Sequence, residues 1–423
     1  MQTKGKRYWL WLSVCTLFLF LGTWYCLRIL LPDKLTLVEG RNVKMDMCFP
    51  ISAKTEESVE VLGVTTKPVA DDLHLDFGTS ITAEGLQQGK AEMTFYLFNT
   101  MPVKTVSVQV LPRTELTPCG RTVGVQIDSD GLLVLGTGYV EGRDGRKAEP
   151  CKGILQTGDM ILEVNKIPMK SKEDFLKAVE ENGEKKLTIR LRRNGQEQTV
   201  EAKPIYSPMD GVCKLGVWIR DSIQGIGTVT FYDEETDRFA ALGHGVYDVD
   251  TGALMELKQG KITDSDLLEI VKGKKGTPGE LNGTLQTDHV LGEIEKNTDI
   301  GIYGKTASVA AFTGDSYPIG LQEEIEVGKA TILSNIHGHE VEEYDVEIER
   351  INRFGKGDAK GMVVHVTDPR LLQRTGGIVQ GMSGSPILQN GKLIGAVTHV
   401  FLEDPTRGYG IFIENMLKEE RAA

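Results

Sequence analysis

The chain has 423 residues, enough for two to four domains with sizeable cores. Its net charge of -12 argues against a nucleic-acid binder, which would present a basic face. At 40% hydrophobic and 26% charged, its body is that of an ordinary globular protein.

Residues 1–32 depart from that average. Lys4, Lys6 and Arg7 precede Tyr8–Leu27, a run without a charge that is long enough to span a bilayer as a helix. The following Arg28-Ile-Leu-Leu-Pro32 lacks a small-x-small cleavage site, so the run reads as an uncleaved signal anchor; a cleaved signal is the alternative. Basic residues ahead of the span leave the N-terminus cytoplasmic and export everything after it. Cys15 and Cys26 lie in the span. Cys48, Cys119, Cys151 and Cys213 lie beyond it at spacings that match no metal pattern, and either free thiols or any of three disulfide pairings fits.

Residues 33–113 carry short β-type runs, such as Glu92–Phe98 and Thr105–Val110, punctuated by Asn99, Pro102 and Pro112. They predict a small β-sandwich or hairpin module with a spacer or docking role. From residue 114 to 204 the pattern changes. Gly131–Leu135 reads as a strand. Ser171 and Asp174 form a capping signature for a helix from Glu173 to about Glu181, with Phe175, Leu176 and Val179 on its apolar face. Leu187–Leu191 and Gln198–Ala202 alternate with period two around Asn194-Gly195, a tight-hairpin signal because both residues tolerate positive φ. With its Leu155-x-x-Gly-Asp159-x-Ile161-Leu-x-x-Asn165 run, this segment resembles a PDZ domain of bacterial peptidases. The resemblance implies peptide capture by strand addition between the Gly131–Leu135 strand and the Glu173 helix. A purely structural module is the alternative.

Residues 205–423 hold many short strands and glycine-rich turns, a length that suits a pair of antiparallel β-barrels. A hairpin at Asp233–Asp237 delivers His244, within Ala241-Leu-Gly-His-Gly245, just past a strand end. Farther on, Gly381-Met-Ser-Gly-Ser-Pro386 resembles the nucleophile turn of chymotrypsin-like serine peptidases. There glycines let the chain turn sharply so that a serine hydroxyl projects while backbone N–H groups converge. A serine needs a histidine base, which itself needs an orienting group. Ser383 is the candidate nucleophile and His244 the candidate base; Ser385 occupies a slot where related turns carry glycine. By the double-barrel pattern, the N–H groups of Gly381 and Ser383 form the oxyanion hole. His365 and His399 fall in apolar strand-like runs.

Together the anchor, β module, PDZ segment and peptidase segment resemble the stage IV sporulation protein B (SpoIVB) peptidase family. The resemblance rests on Ile219–Thr228, Ala241–His244, Thr375–Ile387, Gly395–Phe401 and Asp404–Gly410. It is strong over the last two hundred residues, clear for the PDZ segment and weak before Thr114. Gly245-Val-Tyr-Asp248 departs from residues common in relatives. The resemblance implies a membrane-anchored serine endopeptidase exported into the space between forespore and mother-cell membranes. There it would cleave a membrane-bound regulatory protein and itself. Cleavage would release an intramembrane metalloprotease that matures the sigma-K factor during endospore formation.

The resemblance also points to Asp368 as the orienting acid. Asp368 lies only fifteen residues before Ser383, a short gap for a double-barrel peptidase, so Asp248 and Asp299 remain competitors. Two readings stand for His399: a strand histidine bonded to neighbouring backbone, or part of the wall of the primary specificity pocket, where it could recognise a polar side chain without adding a full charge. No cofactor or metal is expected. The rival functions are a non-catalytic PDZ scaffold at the membrane and a zinc hydrolase. The latter would use His337 and His339 with Glu347 or Glu349, but a catalytic zinc wants three firm protein ligands.

Overall fold

The computed structural model describes residues 11, 14–16, 21–47, 49–55, 60–68, 78–307, 309–338, 340–353 and 359–422. It divides into two compact units, Met1–Glu115 with Leu321–Glu324, and Leu116–Gly320 with Ile325–Ala423.

The first unit is a β-sandwich. One sheet orders Lys34–Val38, Met101–Leu111, Gly89–Leu97 and Ile51–Lys54; the other orders Asn42–Met47, Thr79–Gly85 and Leu62–Pro68. Period-two alternation in Gly89–Leu97 turns Met93 and Phe95 inward, where they share one core with Leu62 and Ile81 of the facing sheet. The expected span Tyr8–Leu27 falls partly outside the described residues. Residues 21–30 are helical, and among the described residues no helix is long and apolar enough to cross a membrane. Cys48 also lies outside them; Cys119, Cys151 and Cys213 are free.

Two long strands organise the second unit. Thr122–Thr137 and Val217–Asp233 pair antiparallel from Thr122↔Thr228 to Thr137↔Val217. The Thr122–Asp128 half also pairs with Gln259–Val271, which pairs in turn with Glu280–Thr298. Gly301–Thr306 and Arg238–Ala241 follow, and the latter returns to Val217–Asp233. These pairings close a six-stranded ring around Val123, Val229, Phe239 and Ile302. A second closed barrel runs Gly328–His337, Glu340–Ile351, Met362–Val366, Asp404–Phe412, Lys392–Phe401 and Pro386–Gln389. Ile332, Val346, Val364 and Val397 share its core.

The outer halves of the same two long strands build the PDZ-like part. Met160–Val164 pairs with residues 132–133 and with Leu187–Arg193, which pairs with Gln196–Ala202. Asn194 and Gly195 make the hairpin turn at φ 51° and 78°. The helix Lys172–Asn182 covers the sheet. Ser171 caps it by accepting from Asp174 N–H, and Asp174 reaches back to Lys170 N–H.

The expected division at 204/205 therefore does not hold. The PDZ-like part is inserted within the first barrel, which takes one strand from before that boundary and five from after it. Each of the two long strands runs from the barrel into the PDZ-like part without a turn, so the sequence marks no crossing point within it. Deleting residues 114–204 removes Thr122–Asp128 from the ring, and circular dichroism should then record no cooperative melt. An excision that joins Asp128 to its partner Ser222 through an Asn-Gly turn keeps both barrel strands. Combined with Asp248→Asn, which removes the charge otherwise left without Arg220, it should melt cooperatively.

Candidate active site

Both turns singled out in the sequence reach one cleft. Its volume is about 430 Å³, and its lining includes His244, Gly381, Ser383 and His399. The rest of the wall is mainly apolar, with Ile226, Val379, Val400 and Leu402 among it.

The histidine turn follows the strand Arg238–Ala241. Leu242 and Gly243 both have positive φ, 70° and 68°, which reverses the chain within two residues. Leu242 N–H donates to Thr228 O at 3.1 Å, and Gly245 N–H to Asp299 O at 3.2 Å. Nδ1 of His244 lies 2.8 Å from Gly245 O. A carbonyl only accepts, so Nδ1 carries the proton and Nε2 keeps its lone pair. Burial pushes the His244 pKa below its ordinary value, while the Gly245 carbonyl pulls it the other way.

The serine turn is held from three sides. Gly384 N–H donates to Val397 O, Thr228 N–H donates to Ser383 O, and Thr228 Oγ1 donates to Gly381 O at 2.7 Å. Gly384 has φ 98°, and a Cβ there would stand 2.0 Å from Thr228 O, so only glycine fits. Met382 points into the core and is fully buried, which leaves position 382 without a side chain in the cleft. Among the described residues the N–H groups of Gly381 and Ser383 have no acceptor, unlike those of Met382, Gly384 and Ser385. Ser383 Oγ donates to Thr398 O at 2.6 Å. No hydrogen bond joins it to His244 among the described residues.

The three candidate acids are placed differently. The structure does not bring Asp368 to His244. Asp368 is the N-cap of the helix Pro369–Thr375, accepting from Arg370 N–H at 2.8 Å, from the Arg370 guanidinium and from Asp345 N–H. The Arg370 guanidinium and these N–H groups outweigh burial and hold its carboxyl down to about 2. A residue followed by proline at the first helical position is built to cap. Asp248 is buried and pairs with Arg220. Asp299 is exposed beside the histidine turn, where its carboxylate accepts from Tyr247 Oη at 2.7 Å.

His399 lies with its ring centroid 4.8 Å from that of His244. Desolvation by the packed ring neighbours, then His244 and Lys360, lower its pKa to about 4, although the residue keeps solvent exposure. His365 faces Glu349 instead. His337 is exposed, His339 lies outside the described residues, and no cluster of metal-binding side chains occurs among those described. Sequence reasoning missed Thr228 and the acceptor Thr398. Thr228 stands at the end of the Ile219–Thr228 run, but a threonine in an alternating strand carries no signal of its own.

The strand expected to receive a peptide is also placed differently. Residues 132–134 bond residues 158–161 on one side and residues 133–137 pair with Val217–Arg220 on the other, so the Gly131–Leu135 strand offers no continuous free edge for strand addition. A cleft of about 670 Å³ instead lies between Phe175, Leu176 and Val179 of the helix and the Lys214–Trp218 segment. Among the described residues Val217–Arg220 pairs only with residues 133–137, so its other edge is open. That position explains why Leu176 is exposed while Phe175 and Val179 are buried.

No curated protein sequence matches the chain. Several solved structures are similar to parts of it. The PDZ domain of the SdrC-like protein from Listeria monocytogenes is 19% identical over 21% of this chain and 87% of that one, at a TM-score of 0.18. The Rv3671c protease from M. tuberculosis in its active form is 13% identical over 47% and 74%, at 0.28. The HtrA-type protease AlgW with a decapeptide is 11% identical over 72% and 65%, at 0.29. TM-scores this low fix neither fold nor function. Residues 211–417, by contrast, match the family SpoIVB peptidase S55. This span contains both turns that meet in the cleft. Through it residues 211–417 form a serine peptidase domain of the SpoIVB peptidase S55 family.

Proposed function

We propose that Ser383 is the nucleophile and His244 the general base of an endopeptidase acting on a membrane-bound protein. The observation that carries this reading is the meeting of the two turns in one cleft, with two unused N–H groups beside Ser383. Catalysis starts when the Ser383 hydroxyl leaves Thr398 O and donates to His244 Nε2. Oγ then attacks the scissile carbonyl as Nε2 takes the proton, and the N–H groups of Gly381 and Ser383 receive the oxyanion. His244 next gives that proton to the leaving amine, and water repeats the sequence on the acyl-enzyme. The Gly245 carbonyl holds the required tautomer. His399 is proposed as a polar point in an apolar wall that faces the substrate.

The finer reading follows the family. The basic start and the uncharged run Tyr8–Leu27 support a membrane anchor with an extracytoplasmic peptidase. We place the substrate in a second membrane protein between the forespore and mother-cell membranes, with self-cleavage near the N-terminal region. Its proteolysis would lead to sigma-K factor processing. The groove beside the Lys172–Asn182 helix would hold an extended peptide segment.

Three outcomes test the site. Ser383→Ala and His244→Ala should each abolish proteolysis by the purified full chain, with circular dichroism unchanged. Near-normal cleavage by folded Ser383→Ala would end the nucleophile assignment.

Asp368→Asn should keep at least about a tenth of wild-type turnover, because asparagine caps a helix as well as aspartate and no bond to His244 is lost. Its stability should fall by about 1 kcal/mol or less, since the Arg370 partner is largely exposed. Loss of turnover comparable to His244→Ala would return the orienting role to Asp368.

The base must be neutral to act, and burial lowers the His244 pKa from 6.5. Neutral imidazole therefore persists to lower pH than in a free histidine. The acid limb of kcat/KM for a small ester should have its midpoint below 6.5, and a midpoint above that value would contradict a buried base.

A further inference from the structure

Arg220 lies on the strand Val217–Asp233 between residues that line the groove and residues, Ile223 and Ile226 among them, that line the active-site cleft. Val217 and Trp218, a few residues earlier on the same strand, line the peptide groove. Thr228, eight residues later, bonds both the serine turn and the histidine turn. The pairing with Thr122–Thr137 is irregular at two places, between Trp218 and Ile219 and between Arg220 and Ser222. Such bulges re-aim a side chain and loosen the local ladder, and here one falls on each side of Arg220.

The Arg220 guanidinium crosses to the loop that follows His244. It pairs there with Asp248, which is wholly buried, and with Asp250 at 2.7 Å. Asp248 in turn winds the loop around its carboxylate. Oδ1 accepts from Asp250 N–H at 3.1 Å, Thr251 N–H at 2.8 Å and Thr251 Oγ1 at 3.0 Å. The Asp248 N–H donates to Ala253 O, and Gly252 N–H donates to Asp248 O. Tyr247 and Val249, on either side of Asp248, line the catalytic cleft beside His244. A buried carboxylate tolerates no loss of its counter-charge, so the loop keeps this shape only while Arg220 reaches it.

We infer that Arg220 is a positioning residue that transmits the state of the peptide groove to the His244 wall of the cleft. A peptide seated along Val217–Arg220 would regularise the strand between its two bulges. That shift moves the guanidinium, and with it Asp248, Tyr247 and Val249. Coupling of this kind is reciprocal, so a change at Ser383 must also be felt along the groove strand. The inference rests on the peptidase reading above, and its test separates the two.

The full chain in detergent is treated with diisopropyl fluorophosphate. Hydrogen exchange is then followed over residues 245–254 and 215–221. In the wild type, phosphorylation of Ser383 by this reagent, with loss of fluoride, should slow exchange in both segments. In Arg220→Met the reaction should be about tenfold slower or more, a cost typical of misplaced walls, and the response of 215–221 should be lost. Arg220→Lys should recover part of both, because one ammonium can still reach Asp248. Arg220→Met combined with Asp248→Asn leaves no unpaired buried charge and should melt like the wild type, yet it should show no response in 215–221. A wild-type response in either Met-containing variant would overturn the inference. An adduct on wild-type Ser383 without any response in 215–221 would overturn it too, leaving the peptidase reading intact. No adduct on Ser383 would overturn both.

Discussion

One buried threonine joins the two halves of the site. Thr228 is inaccessible to solvent, and its three polar groups are all used, two across to the second barrel and one within the first. Its N–H and hydroxyl donate to the Ser383 and Gly381 carbonyls, and its own carbonyl receives Leu242 N–H from the histidine turn. Removing the hydroxyl alone would leave the buried Gly381 carbonyl without that donor, a loss worth about 1–3 kcal/mol. The glycines nearby follow from the same approach. A Cβ at Gly384 would meet Thr228 O at 2.0 Å, and one at Gly227 would meet Leu242 Cδ2 at 2.1 Å. The Gly-x-Ser-Gly pattern is thus a packing requirement as much as a catalytic one: the turn must pass within contact of a strand from the other barrel.

Because Thr228 belongs to a strand that begins at the proposed peptide groove, binding there and chemistry would share one piece of backbone. Antiparallel pairs hold register through every rung, so a shift at Val217 cannot be absorbed without a defect. The irregularities on both sides of Arg220 are where such a defect already exists. An inserted PDZ-like part tied in by two strands differs physically from one hung on a linker. It forms a compact unit with the peptidase barrels.

Local chemistry made much of this legible. Asn194-Gly195, the Asp233–Asp237 hairpin, the Ser171 cap and both glycine-bounded turns each depend on residues within a few positions, and each forms where the sequence places it. What was not legible depends on long-range pairing. Nothing in Thr122–Thr137 says that its first half faces Gln259–Val271 while its second half faces Met160–Val164. The groove edge was missed for the same reason: residues 131–135 read as a strand, and only the partners on both flanks close its edges. Asp368 shows the limit of motif order. His, Asp, Ser is a familiar succession, but proline after the aspartate and an arginine at the next position make a helix cap with its own counter-ion.

The carboxylates around the cleft therefore have to be weighed by what already satisfies them. Asp248 could orient a histidine only by abandoning Arg220 and three loop donors while remaining buried, which is the costliest rearrangement of the three. Asp368 would have to uncap its helix and leave Arg370. Asp299 would give up only the Tyr247 hydroxyl, at an exposed position where water can replace it. Its main chain already bonds the residue after His244, and its turn belongs to the barrel that carries the histidine. If a carboxylate joins His244 during turnover, the fewest bonds given up and the least uncompensated charge both favour Asp299. Until it does, the Gly245 carbonyl fixes the tautomer, and the serine hydroxyl rests on Thr398 O rather than on its base.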